Sequence, residues 1–185
     1  VTPETLARME ARIAPTASQL PADLDAVGYC CTSGATVIGP ARVAELIHQA
    51  HPQAAASDPA SAVIRACKAL GARDIGLLTP YLPSVSDALR TLLEENGLRV
   101  TAFGSFEESS DATVARITEA STLAAMEKIG AGKCDLVFAS CTNLRTFGVI
   151  DQAEERVSKP VISSNLALGW DPVSYTHLRA HETST

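Results

Sequence analysis

Two thiols stand at matching places in this chain. Asp25-Ala26-Val27-Gly28-Tyr29-Cys30-Cys31-Thr32 and Asp135-Leu136-Val137-Phe138-Ala139-Ser140-Cys141-Thr142 carry Asp, Val, Cys and Thr at the same offsets. In each copy an apolar run suited to a buried strand ends in Cys-Thr and then a turn. Both thiols therefore belong at the carboxyl ends of parallel strands, where open α/β sheets bind ligands. A free thiol titrates near about 8.5, and a helix amino end or neighbouring N–H donors lower that value, so a cysteine in such a turn can act as a thiolate at neutral pH. Cys31 and Cys141 both qualify as catalytic residues. The plainer alternative is a buried hydrophobe closing a strand, which a single Cys-Thr would favour; the repeat favours chemistry.

Other polar groups gather around the two motifs. Thr32, Ser33 and Thr142 offer donors beside the thiols, suited to a carboxylate and to the enediolate formed when the adjacent carbon gains or loses a proton. Without the cysteines they would read as turn caps. Tyr81, after Thr79-Pro80, sits where an aromatic with a polar tip meets a ligand, and Asn165 fits either a site wall or a helix N-cap. Arg145 reads as the partner of a second carboxylate or as a solvated surface charge. Alternation along the strand points Cys30 away from Cys31, into the core or behind the site. Cys67 shares a helix face with Val63, Ile64 and Leu70 and is a small core residue, while Cys134 has no chemical context. A Cys30–Cys31 disulfide would need a strained backbone, so redox chemistry ranks last.

The elements that must position these groups alternate between strand and helix. Thr2-Pro3-Glu4 starts a helix that should run to about Ile13, and residues 15–25 are a loop. Strands are expected at 26–30, 53–56, 75–79, 98–104, 136–139 and 161–163. Residues 32–39 read as a small-residue turn leading into a helix over 40–50, which places N–H donors near Cys31. Further helices are expected at 58–70, closed by Gly71, at 84–96, closed by Gly97, at 112–129 with a break near Ser121, at 151–157, and from Asn165 to Trp170. Such alternation calls for parallel sheet with helices on both faces. The repeat divides the chain into a first lobe over residues 1–75 and a second over 76–173.

Four segments together, Gly28-Tyr29-Cys30-Cys31-Thr32-Ser33-Gly34, Leu77-Leu78-Thr79-Pro80-Tyr81, Ser140-Cys141-Thr142-Asn143-Leu144-Arg145-Thr146 and Lys159-Pro160-Val161-Ile162-Ser163-Ser164-Asn165, resemble the aspartate/glutamate racemase superfamily. Within it they are most similar to the branch of maleate cis-trans isomerases and arylmalonate decarboxylases. The resemblance implies an α/β fold of two pseudo-symmetric flavodoxin-like lobes facing each other across a cleft. It implies cofactor-independent chemistry on a small carboxylic acid, with Cys31 and Cys141 catalytic and Thr32, Ser33, Tyr81, Thr142 and Asn165 binding substrate. Decarboxylases of this branch keep only the later cysteine, so the presence of both favours an isomerase. An aspartate/glutamate or hydantoin racemase and a non-catalytic small-acid binding protein are the alternatives. One departure stands out: where the branch's isomerases carry a polar amide, Glu107-Glu108-Ser109-Ser110-Asp111 is acidic. Either that loop points away from the site or the substrate is not maleate.

Composition narrows the function classes further. Of 185 residues 46% are hydrophobic and 19% charged, enough for a buried core. A formal charge of −6 leaves no basic footprint for nucleic acid. No stretch reaches the length of a membrane span and no signal peptide is visible, and the cysteines show neither zinc-ligand nor CxxC spacing. The expectation is a cytoplasmic enzyme with reduced thiols, without metal or cofactor, and open to homo-oligomerisation. Both ends look foreign to the fold. The chain opens at Val1 directly into a helix where the resembled family opens with a strand, and residues 174–185 look like the translation of a sequencing adapter. His177 and His181, four apart on that tail, carry little weight as a metal pair.

Overall fold

Leu136–Ala139 is buried at every position, as a run without polar alternation must be when helices cover both faces of its sheet. The computed structural model describes residues 2–182, with side chains as far as Ser174. Helices α1 (Pro3–Ala7) and α2 (Glu10–Ala17) precede strand β1 (Ala26–Gly28), followed by α3 (Thr32–Ile38), α4 (Pro40–Ala50), β2 (Ala55–Ser57) and α5 (Pro59–Ala69). Then come β3 (Asp74–Thr79), α6 (Pro83–Glu95), β4 (Arg99–Ser105), α7 (Asp111–Val114), α8 (Glu119–Gly130) and β5 (Leu136–Ala139). A short 3-10 turn (Phe147–Val149), α9 (Ile150–Val157), β6 (Val161–Ser163) and α10 (Ser164–Glu182) complete the described residues.

The strands form two parallel sheets, one of β1 and β2, the other in the order β4-β3-β5-β6. From β3 the chain moves first to one neighbour and later to the other, so the strand order reverses between β3 and β5. The crevice beyond the carboxyl ends of such a pair is where open α/β sheets hold ligands, and the loops leaving β3 and β5 carry Tyr81 and Cys141. The expected class, α/β with parallel sheets, is the observed one. The large core joins both faces of the four-stranded sheet, and a smaller one gathers Ile13, Val27, Val43, Leu46 and Ile47 around the first sheet. Among the described residues no helix is long and apolar enough to cross a membrane.

Local signals account for most boundaries. Asp58 caps α5 by accepting from the N–H groups of Ala60 and Ser61, at 2.9 and 3.0 Å, with Pro59 preorganised at the first turn. Thr118 caps α8, which resolves the expected break near Ser121 into two helices. Gly71 and Gly97 take the positive φ values of helix stops.

Four expectations need correction. The first helix is two, broken at Arg8-Met9, and the second continues through Pro15 to Ala17; Ile13 and Ala17 are buried, Ile13 with Ala14 in the smaller core, and that burial outweighs the lost backbone donor. Residues 32–38 are a helix rather than a turn, because Thr32, Ser33, Gly34 and Ala35 are buried and their packing overrides weak propensity. Leu70 is 52% exposed, outside the core its helix face predicted. Lastly, α10 is not cut off at Trp170; its backbone stays helical to Glu182, and it packs on α5 and β2. The side chains of His177 and His181 lie outside those described.

Candidate active site

The first thiol is placed by α3. Cys31 is its N-cap residue, half-buried, and its Sγ accepts the N–H of Gly34 at 3.3 Å while lying 3.7 Å from Ser33 Oγ. Sulfur here does the work that a serine or aspartate oxygen does at most N-caps. Cys30 is exposed rather than packed in the core: β1 ends at Gly28, so strand alternation no longer governs residue 30.

The second thiol is placed by strain. After β5 the N–H of Ser140 still pairs with Leu78 O at 2.8 Å, and the next residue, Cys141, has φ +101°. A non-glycine residue there costs on the order of 1–3 kcal/mol and persists only where surroundings hold it. The Cys141 N–H donates to Ser164 Oγ at 3.0 Å, and Cys141 Sγ accepts the N–H of Asn143 at 3.4 Å. Cys141 is buried, and burial pushes its thiol above the ordinary range, against smaller lowering contributions from Asn143, Tyr81 and Leu144. That reverses the expectation of a thiolate: the turn supplies donors, but removal of water outweighs them.

One direct hydrogen bond and one relayed through Ser164 bring the Cys-Thr motifs together. Thr142 Oγ1 donates to Cys30 O at 3.0 Å, and Thr32 Oγ1 donates to Ser164 Oγ at 2.8 Å. Tyr81 reports the convergence: its buried phenol is held well above the ordinary range, first by burial and then by Cys141, with a smaller contribution from Cys31. Both sulfurs are within electrostatic reach of one hydroxyl. Tyr81 Oη accepts from Ser140 Oγ at 3.3 Å and also bonds the Cys141 thiol.

Of the residues picked from the sequence, the contacts connect Cys31, Thr32, Ser33, Tyr81, Cys141, Thr142 and Asn165. The hydroxyls of Thr32 and Thr142 are engaged across the interface just described, and Asn165 Nδ2 donates to Thr142 O at 3.0 Å. Asn165 is not the N-cap of α10; Ser163 Oγ accepts the Leu166 N–H instead, at 3.1 Å. Arg145 is exposed. Of the acidic loop, Asp111 meets the site, its carbonyl accepting Asn143 Nδ2 at 2.9 Å and its charge adding the smallest of the contributions at the Cys141 thiol, while Glu107 is exposed.

Several residues of the site are not singled out by the sequence, even where they lie inside the four resembling segments. Ser164 is one, fully buried between the motifs. Others form a hydroxyl cluster under Tyr81: Ser105 Oγ donates to Tyr81 O at 2.7 Å and Thr79 Oγ1 lies 2.8 Å from Ser86 Oγ and 3.0 Å from Ser105 Oγ. Serine after a strand is too common a signal to have marked them.

Comparison with known proteins matches this chain to a family. The sequence profile described as arylmalonate decarboxylase matches residues 1–185. A maleate isomerase of Nocardia farcinica is 26% identical over 179 residues, 90% of this chain and 70% of that protein. An arylmalonate decarboxylase of Bordetella bronchiseptica is 31% identical over 115 residues, 61% of this chain and 48% of the relative. The fold matches that of a Nocardia farcinica maleate cis-trans isomerase variant solved with a covalently bound succinylcysteine intermediate, at TM-score 0.84 and 23% identity over 98% of this chain and 76% of the other.

Proposed function

We propose that this chain, which belongs to the arylmalonate decarboxylase family, is a cofactor-independent isomerase that moves a small unsaturated carboxylic acid between cis and trans forms with two cysteines. The carrying observation is the unlike setting of two convergent thiols. Cys31 is half-buried and receives an N–H bond; Cys141 is buried with its thiol raised. The first suits a nucleophile and the second a proton donor.

In this reading the Cys31 thiolate adds to one carbon of the substrate double bond, forming a C–S bond. The electron pair moves to the neighbouring carbon, which takes the Cys141 proton. The former double bond is now single and rotates. Cys141, left as thiolate, takes a proton back, the C–S bond breaks, and the trans acid leaves with Cys31 regenerated. The raised Cys141 thiol supports the protonation step, because a group that holds its proton at neutral pH can deliver it to a carbanion and recover by removing one. The succinylcysteine seen in the Nocardia farcinica relative is the kind of adduct the first step would leave.

A second reading is favoured by one observation. Cys141 as a proton donor would also serve a decarboxylase, which needs one acid to quench an enediolate, and such an enzyme would leave Cys31 idle. A racemase fits less well, since thiols that trade one proton between opposite faces would be expected in matched settings.

Incubation with maleate in deuterated water, with fumarate followed by NMR and Cys31 by peptide mass, tests the first reading. Turnover should vanish in Cys31→Ala, and Cys141→Ser should retain slow turnover. Wild-type turnover in both variants would sink the two-cysteine reading. Cys31→Ala that still releases carbon dioxide from an arylmalonate would support the second.

A further inference from the structure

Tyr29, one residue before the Cys-Cys pair, is not used by the mechanism above. Its backbone is held on both sides: its N–H donates to Ser57 O at 2.8 Å and its carbonyl accepts the Cys31 N–H at 3.0 Å. The ring is half-buried against the smaller core. Gly34 shows where the hydroxyl goes. A Cβ built at residue 34 would lie 2.3 Å from Tyr29 Oη and 3.1 Å from Cys31 Sγ. The hydroxyl and the sulfur therefore share the space that the absent side chain leaves, and any other residue there would push the phenol out.

We propose that Tyr29 is a catalytic residue whose phenol hydroxyl donates a hydrogen bond to the Cys31 sulfur, favouring its thiolate and fixing its direction. This rests on Cys31 being the nucleophile. The hydroxyl also donates to Met9 Sδ at 3.7 Å, a competing acceptor. A neutral thioether accepts weakly, whereas a hydrogen bond to an ionised sulfur is charge-assisted and stronger. Burial first, and Cys31 second, hold the Tyr29 phenol above its ordinary range, so it keeps the proton it donates. Around this pair, Tyr81 also interacts with Cys31, and Arg12 lines with Tyr29 and Met9 a cavity of about 360 Å³. The site then has one tyrosine for each thiol, Tyr29 for Cys31 and Tyr81 for Cys141.

The test is the pH dependence of iodoacetamide labelling at each cysteine, read by peptide mass in the full chain. Tyr29→Phe deletes one oxygen and should move the Cys31 midpoint up by about one unit, a tenfold lower thiolate fraction below it, with the Cys141 profile unmoved. Gly34→Ala should move Cys31 the same way by displacing the hydroxyl, and it serves as the independent variant if Tyr29→Phe fails to fold. An unmoved Cys31 midpoint in a folded variant overturns the proposal, as does an equal shift at Cys141, which would signal general loosening. Labelling needs no turnover, so the contact is tested even if Cys31→Ala proves active and the nucleophile reading fails.

Discussion

The backbone N–H of Cys141 donates to Ser164 Oγ at 3.0 Å, and the same oxygen receives the Thr32 hydroxyl at 2.8 Å. One buried serine thus ties the strained turn of the second thiol to the helix that begins beside the first. Ser164→Ala leaves two donors without an acceptor, each costing about 1–3 kcal/mol when buried. Its melting temperature should fall by several degrees, and turnover should fall more than that loss of folded protein explains. Ser164→Thr keeps the oxygen and should recover both; equal melting curves for Ser164→Ala and wild type would refute the tie.

The raised Cys141 thiol predicts slow labelling. Below its midpoint the thiolate fraction drops tenfold for each pH unit, so iodoacetamide at neutral pH should mark exposed Cys30 and half-buried Cys31 well before Cys141. Cys67, fully buried, should be marked last. Time-resolved peptide mapping reads the order, and early labelling of Cys141 would contradict its burial.

Asp171 anchors α10 from its middle. It is fully buried, takes both a bidentate bond from Arg65 and the Ser57 hydroxyl, and so links the last helix to the first sheet. Breaking a buried ion pair costs about 3–5 kcal/mol. Arg65 is 35% exposed and can turn to water, which places Asp171→Asn near about 3 kcal/mol, or roughly 6–12 °C in melting temperature for a chain of this size. Calorimetry of the two proteins checks it.

Alkaline stability follows from Cys67. Burial pushes its thiol up to about 12, above the ordinary unfolded value, so the folded state keeps a proton that the unfolded chain releases. The stabilisation is complete below about pH 8.5 and is lost as pH rises toward 12, with a ceiling of about 5 kcal/mol. Urea titrations across that window should show stability falling with pH, and Cys67→Ala should flatten the slope whatever it does to stability at neutral pH.

Apolar runs and stop signals in the sequence were enough to place β3, β5, β6, α5, α6 and α9, since strands buried on both faces and capped helices announce themselves within a dozen residues. The repeated Asp-x-Val…Cys-Thr was enough to put both thiols just beyond the carboxyl ends of β1 and β5. How those ends meet was decided by tertiary structure alone. Thr32 and Ser164 are 132 residues apart, and nothing local to either names the other. The positive φ at Cys141 arises because Ser140 remains paired to β3 while the next N–H is drawn to Ser164, and it turns the thiol out of the alternation by which a sequence is read. Whether the buried Cys141 holds or sheds its proton is likewise set by the balance of lost water against a few donors, and that balance exists only once the chain has closed around it.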